Sequence, residues 1–286
     1  MAKRNLPPIP DLRLVPVSDV LPHEEHDAQR SAPLVKRIKE SNVWLNPPVV
    51  APLDLQLEEN QSFALLDGAN RYHCVRELGY PHILVQVVNY KSEFIQLETW
   101  NHVLSDVHAD EILPKIYKLR GIHPEHSDTL TAQSALARRE AIAYVRVLPD
   151  WVLMLIADTQ DIRERNASLR ELVNTYKSVA RLDRITGDEP EQVKKVHPGA
   201  SMVIIFPRYE PAEILVAARD RIHLPPGISR HIIQGRALRL NYPLQELADA
   251  ETDLQIKNEK LQKWVHQRFA TRNVRFYEES MFIYDD

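Results

Sequence analysis

The sequence predicts an α+β or mixed α/β fold, because short apolar runs of strand character alternate with amphipathic helical stretches. Three neighbouring observations carry that reading. Phe63-Ala64-Leu65-Leu66 is a continuous apolar run, as expected of a buried strand, and Gly68 breaks it. Tyr72, Val75 and Leu78 follow at helical spacing, with Gly79 as the C-terminal stop. Ile83 to Val88 returns to strand character, so residues 49–90 read strand, strand, helix, strand.

The other elements come in chain order. Residues 1–10 are proline-rich and predict an extended arm. Leu12 to Val17 reads as a short strand, Pro22 to Gln29 as a polar loop, and Ala32 to Ser41 as a helix with Leu34, Val35 and Ile38 on one face. Pro47-Pro48 ends that region, and a short strand covers residues 49–53. A helix is expected after Trp100, broken or kinked at Pro114 before Leu119. Ala141 to Val147 and Trp151 to Ile156 read as a strand pair around Leu148-Pro149-Asp150. Arg163 to Tyr176 is an amphipathic helix, Met202 to Phe206 a strand, and Ala212 to Arg219 a helix. Residues 222–236 begin as loop and turn extended; Leu244 to Phe269 holds one or two charged helices. No internal repeat or low-complexity segment is visible.

Composition narrows the function classes. The 286 residues suffice for one large domain or two small ones, and the net charge of -4 supplies no overall basic field to recruit nucleic acid. Cys74 is the single cysteine, so no intrachain disulfide can form, which fits a reducing compartment. The basic start lacks the apolar core of a signal peptide, and no run approaches a membrane span; the expectation is a soluble, cytoplasmic protein. None of the 7 glycines falls in GxxxxGK[ST] or GxGxxG, so a phosphate site must use another device.

Four segments could carry chemistry. In Leu65-Leu66-Asp67-Gly68-Ala69-Asn70-Arg71 a buried strand turns into a helix. A helix N-terminus favours phosphate, Gly68 permits close backbone approach, and Arg71 can add a charge-assisted fork. Asp67 could hold a metal or orient the loop. A plain turn with Asp67 as cap and Arg71 on the surface fits the same residues. In Leu21-Pro22-His23-Glu24-Glu25-His26, a carboxylate near a phosphate site could act as general base, though a solvated acidic turn is the commoner use of such residues. His23 and His26 are three apart and lack a third ligand, which argues against a zinc hydrolase. Trp100, in Thr99-Trp100-Asn101-His102, could wall a small pocket or pack in a core. Ser229-Arg230-His231, after Pro225-Pro226-Gly227, could grip a carboxylate or phosphate, or form a solvated turn.

Together the four segments resemble the free serine kinases of the ParB/sulfiredoxin-like superfamily, the archaeal ADP-dependent serine kinase and its bacterial siderophore-pathway relatives. The family order of Pro-His-Glu, Asp-Gly-x-x-Arg, Thr-Trp and a distal Arg-His appears as Pro22-His23-Glu24, Asp67-Gly68-Ala69-Asn70-Arg71, Thr99-Trp100 and Ser229-Arg230-His231, between about residues 12 and 245. The resemblance implies a ParB/sulfiredoxin-like nucleotide-binding domain over 1–130, a second α/β region completing the substrate site over 131–246, and a helical extension over 247–286. It implies a kinase that moves a phosphoryl group from ATP or ADP, with Mg²⁺, to the hydroxyl of free L-serine. Glu24 would be the catalytic base and Asp67 would lie close to the transferring group. Gly68, Ala69, Asn70 and Arg71 would meet the nucleotide, and Trp100, Ser229, Arg230 and His231 the serine. No metal ligand is assigned. The family's double histidine is Ala69-Asn70 here, which leaves the donor open between ATP and ADP.

Three other readings share the pattern. A partition-type, DNA-associated protein would need a basic helix-turn-helix module, which the net charge and the strands after residue 130 argue against. A sulfiredoxin-like reductase would need its cysteine in the phosphate loop, whereas Cys74 lies past Arg71 and inside the helix. A nucleotide-sensing regulator without catalysis fits the replacement by Ala69.

Overall fold

A computed structural model describes residues 6–26, 28–54, 61–149 and 151–277; residues 1–5 of the expected arm and Asp150 of the expected turn lie outside them. The first part holds β1 (Asp11–Pro16), β2 (Val20–Pro22), α1 (Ala28–Ser41), β3 (Val43–Trp44), β4 (Val49–Pro52), β5 (Phe63–Asp67), α2 (Ala69–Glu77) and β6 (His82–Val87). Next come β7 (Ile95–Thr99), β8 (Asn101–Ser105), α3 (Ala109–Ile116), β9 (Ile122–Ser127), α4 (Thr129–Ala137), β10 (Ala141–Val147), β11 (Trp151–Ala157) and α5 (Ile162–Asn174). The rest is β12 (Arg181–Ile185), α6 (Pro190–Val196), β13 (Ala200–Ile205), α7 (Pro211–Arg219), β14 (Ser229–Ile233), β15 (Tyr242–Pro243), α8 (Gln245–Ala248) and α9 (Leu254–Ala270).

Two sheets organise this α+β chain. The first has the order β1-β6-β4-β5-β2, the second β12-β8-β13-β10-β11-β9. Neighbours in the second are all antiparallel. In the first, β4 lies parallel to β6 and β2 parallel to β5. β8 and β9, from before residue 130, share the second sheet with β10 to β13. Side-chain alternation along β5 ties the halves together. Phe63 and Leu65 enter a core with Tyr72, Cys74 and Val75 of α2, while Ala64 and Leu66 enter a core with Val145, Leu153 and Ile204 of the second sheet. The two faces of β5 therefore bury against different layers, and the turn at its C-terminal end emerges between them.

One expected helix is a strand. Residues after Trp100 form β8, and the helix starts only at Ala109. All five residues of β8 are buried, with partners on both edges, so sheet pairing decides their conformation. Glu111 accepts from the His108 backbone N–H at 3.1 Å and fixes where α3 begins. Pro114 lies inside α3.

The C-terminal helix closes the free edge of β1. Asn258 accepts from the Leu14 N–H and donates to the Leu14 carbonyl, both at 2.9 Å, and Gln262 donates to the Leu12 carbonyl at 3.0 Å. Side-chain amides of α9 thus take the place of a neighbouring strand at that edge. Among the described residues no helix is long and apolar enough to cross a membrane.

Candidate active site

Glu24 is held by backbone on both sides. β2 runs parallel to β5 with Pro22 opposite Leu65, so His23-Glu24 leaves the sheet beside Asp67 and Gly68. On the other side, Leu224 donates its N–H to the His23 carbonyl at 2.8 Å and accepts from Glu25 N–H at 2.9 Å. The segment read as a loop is therefore pinned on either side of Glu24. Glu24, Asp67 and Ala69 meet at one small pocket, with His23 and Leu66 behind them.

The polar partners of Glu24 come from β14. Ser229 Oγ lies 2.9 Å from Glu24 Oε2 and 2.7 Å from His23 Nε2. His23 Nδ1 donates to the Leu65 carbonyl at 2.6 Å. Burial pushes the Glu24 carboxyl up to about 7, against the pull of the Ser229 hydrogen bond and the Arg184 charge. The same burial pushes His23 down to about 4 and His231 down to about 3, so both rings are neutral at neutral pH. His231 Nε2 pairs with the Tyr90 hydroxyl at 2.7 Å.

Beside this group sits the strand-to-helix turn. Gly68 opens α2 at φ 104°, and a Cβ there would lie 2.9 Å from Pro48 Cβ, so both conformation and space demand glycine. Gly68, the N-cap of α2, has no side chain to cap it, and the first turn, Ala69 to Arg71, stands at the positive end of the helix. Arg71 donates to Asp67 Oδ2 at 2.6 Å and to the Asn46 carbonyl at 2.8 Å. Arg236 also donates to Asp67 Oδ2. Burial raises the Asp67 carboxyl, but Arg236 and Arg71 outweigh it and hold it below its usual range. Arg236 went unseen in the sequence because it lies 169 residues from Asp67, in a stretch read only as extended.

The four residues expected on the serine side divide between two faces. β14 pairs with β7, and successive side chains point to opposite sides. Ser229 and His231 face His23, Glu24 and Tyr90. Arg230 points the other way, where it pairs with Glu98 at 2.7 Å and lies 4.3 Å over the Trp100 ring. The arginine whose charge acts on Glu24 is instead Arg184 of β12. A Cβ on Gly227 would lie 1.9 Å from the Arg184 guanidinium, so this glycine, at φ 77°, makes room for it. His102 of β8 holds that glycine, with Nε2 on the Gly227 carbonyl at 3.2 Å and Nδ1 on the Tyr176 hydroxyl at 2.9 Å. The Pro-Pro-Gly before Ser229 was the available signal for Gly227; nothing local marked Arg184.

Cys74 and His26 take structural places. Cys74 is fully buried, its thiol rests 3.6 Å from the Ser31 carbonyl, and burial pushes its pKa up to about 11. Such a thiol is inert, which removes the basis for reductase chemistry. Cys74→Ala should retain nucleotide binding and turnover and cost ~1–2 kcal/mol of stability, read by thermal melts beside an activity assay; loss of activity in a folded variant would reopen thiol chemistry. His26 stacks on His73 at 3.6 Å, away from the pairing of His23 with Ser229. Among the described residues no group of three His, Cys, Asp or Glu side chains could hold a metal ion. With Asp67 taken by two arginines and Glu24 by Ser229, the residues here do not form a protein-held Mg²⁺ cage.

No family model matches the chain. It is 24% identical over 240 residues to the ATP-dependent L-serine kinase of Staphylothermus marinus, covering 82% of this chain and 90% of that one. It is 24% identical over 276 residues to the ATP-dependent L-serine kinase SbnI of Staphylococcus aureus, covering 95% and 96%. Among solved structures, a free serine kinase in complex with AMP superposes with a TM-score of 0.71 at 14% identity, covering 86% of this chain and 97% of that chain. SbnI with a C-terminal truncation from S. aureus superposes with a TM-score of 0.68 at 18% identity, covering 90% and 97%. The fold is that of these proteins.

Proposed function

We propose that this chain is a kinase that transfers the terminal phosphoryl group of ATP to the hydroxyl of free L-serine, giving O-phospho-L-serine. The observation that carries it is the half-buried carboxylate of Glu24, poised near neutrality, facing one pocket with Asp67 and with Ala69 at the start of α2. The names of the relatives over nearly the full chain supply the substrates and favour ATP as donor; ADP remains the second donor to test. The Asp67-Gly68-x-x-Arg71 turn supports a ParB/sulfiredoxin-like reading of the first sheet, and with it a nucleotide-binding part over 1–130, a serine side completed by 131–246 and an extension from 247 onward that carries α9. The site of action is the cytoplasm.

The chemistry derives from a loose transition state, in which positioning and charge stabilisation do most of the work. The serine oxygen bonds to the terminal phosphorus, the bond from that phosphorus to the bridging oxygen breaks, and the serine proton passes to Glu24. The positive end of α2 and the clamped arginines Arg71 and Arg236 hold phosphate oxygens, with Asp67 orienting both guanidinium groups. Mg²⁺ would arrive on the nucleotide, coordinated by phosphate and water. Trp100 and Arg230 form an outer wall and Ser229 and His231 the inner one.

The deciding assay combines purified protein, Mg²⁺, labelled ATP or ADP and a panel of free amino acids and small alcohols. Phosphoserine as the dominant product supports the reading. Nucleotide binding without transfer to any acceptor would overturn it in favour of a nucleotide-binding regulator.

The placement of the two arginines separates their roles. Arg230 is paired with Glu98, and Arg184, whose charge acts on Glu24, joins it as a reader of the serine carboxylate. Arg184→Ala should raise the serine KM ~10–100-fold, the value of a lost charge-assisted contact, with little change for the nucleotide. Arg230→Ala should raise the serine KM less. Steady-state kinetics with both substrates varied checks this, with ethanolamine as an acceptor that lacks the carboxylate; an equal penalty on ethanolamine would refute the assignment.

A further inference from the structure

The contacts of Ser229 contain a conflict over one proton. The Leu65 carbonyl can only accept, so His23 Nδ1 carries the hydrogen of that 2.6 Å contact. A neutral His23 then presents Nε2 as an acceptor, and its partner is Ser229 Oγ at 2.7 Å. Ser229 Oγ also lies 2.9 Å from Glu24 Oε2. While Glu24 is ionised, both neighbours of the hydroxyl are acceptors, and the hydroxyl has one hydrogen to give. His23 is only 1% exposed, so water does not readily supply the missing donor.

One added proton resolves the conflict. An ionised carboxylate is the stronger acceptor and takes the hydroxyl hydrogen. A protonated carboxyl is a weaker acceptor than an imidazole nitrogen, so the hydroxyl turns to Nε2. Gain of a proton by Glu24 is thereby coupled to a new hydrogen bond at a buried ring nitrogen, which favours proton uptake at the moment of transfer. We propose that Ser229 is a positioning residue acting as a two-way hydroxyl switch, donating to the Glu24 carboxylate before phosphoryl transfer and to His23 Nε2 once Glu24 holds the serine proton. No heavy-atom bond changes in this step; the acceptor O–H breaks, an O–H forms on Glu24, and the Ser229 O–H rotates.

The inference rests on Glu24 being the base, and the surroundings are compatible with it. Arg184 from β12 favours the ionised carboxylate and Asp67 from β5 opposes it. Around His23, Asp67 favours protonation, while His231 and His223 lie close enough for their own charging to be opposed by His23. Neither histidine neighbour is charged near neutrality, so the variable proton belongs to the Glu24–Ser229–His23 group.

The test tracks the His23 ring nitrogens by ¹⁵N NMR in the full chain across the pH range on either side of about 7, where Glu24 titrates. In the wild type, His23 should stay neutral with Nδ1–H throughout, while Nε2 steps to its hydrogen-bonded shift as pH falls. Glu24→Gln, with a neutral isostere, should hold Nε2 bonded at every pH. Ser229→Ala should hold it unbonded, lower kcat ~10-fold or more, and move the acid limb of the rate profile to higher pH as the carboxylate loses the hydroxyl and keeps only the Ser229 backbone N–H. Ser229→Thr keeps the hydroxyl and should restore both the step and the limb. A flat wild-type Nε2, or a Ser229→Ala profile equal to wild type, overturns the switch. If Ser229→Ala does not fold, the Gln and Thr variants still decide. Serine phosphorylation without the step defeats the switch alone; the step without serine phosphorylation in the wild type defeats the kinase reading alone.

Discussion

Glu24→Gln should lower kcat by ~10²–10⁴-fold, the usual contribution of a general base, while nucleotide affinity stays nearly intact. It should also make the protein more stable above neutral pH. The sign comes from the direction of the shift: burial lifts the folded-state pKa to about 7 from an ordinary 4.5. The folded state therefore binds more protons than the unfolded chain between those values, and stability falls as pH rises through that window. Above it the penalty is complete, at roughly 3 kcal/mol as an upper bound for a gap of this size. A glutamine cannot ionise and avoids this cost. Thermal melts at pH values below and above the window, paired with single-turnover assays, read both effects. A Gln variant with near-normal turnover removes Glu24 as base, and a variant without the alkaline stability gain removes the account of its burial.

That trade of stability for a poised carboxylate explains which parts of the molecule were legible in the sequence. The strand, glycine and helix over residues 63–79 could be read because each residue obeys local rules: apolar run, left-handed glycine, helical stripe, glycine stop. Besides β8, the strands of the second sheet that escaped notice are β9 and β12, with the sequences IHPEHS and RLDRI. These are the two edges of the second sheet. Edge strands carry charge and polar side chains because they must resist further pairing, so they lack the apolar signal that marks β10 and β13. β8 failed differently: its pairing on both edges, with β12 and β13, comes from residues far along the chain.

The site shows the same division. Glu24, Asp67 and Gly68 stand in short local patterns, and the structure puts Glu24 and Asp67 on one pocket. What the sequence could not show is the direction of β14. Ser229-Arg230-His231 reads as one cluster, but strand alternation sends the arginine to the far side, toward Glu98 and Trp100. Arg184 and Arg236 have the converse history. Each acts on its carboxylate across a long sequence separation, Arg184 through its charge and from beside Gly227, which only the Pro-Pro-Gly pattern marked.

Arg71→Ala should weaken binding of ATP and ADP by ~10–150-fold, the equivalent of the ~1.5–3 kcal/mol that a hydrogen bond to a charged group contributes, while adenosine affinity stays unchanged. Arg71 spans three anchors, with one nitrogen on the Asn46 and Pro47 carbonyls and the other on Asp67. Its guanidinium is thereby fixed at the first turn of α2, at the positive end of the helix behind Gly68. Phosphate arriving there meets a cation whose orientation has been set beforehand, so little ordering cost falls on the bound state. Truncation removes the charge and frees Asp67 to pair with Arg236 alone, which draws the second cation away from phosphate as well. Arg71→Lys should recover only part of the loss, because an ammonium group restores the charge without the planar fork that reaches Asp67 and the carbonyls together. Calorimetry with adenosine, ADP and ATP on variants whose melting temperatures match wild type separates phosphate contact from general damage. An equal loss for adenosine and ATP would place Arg71 outside phosphate recognition and leave it as the strut that holds Asp67 to the turn before α2.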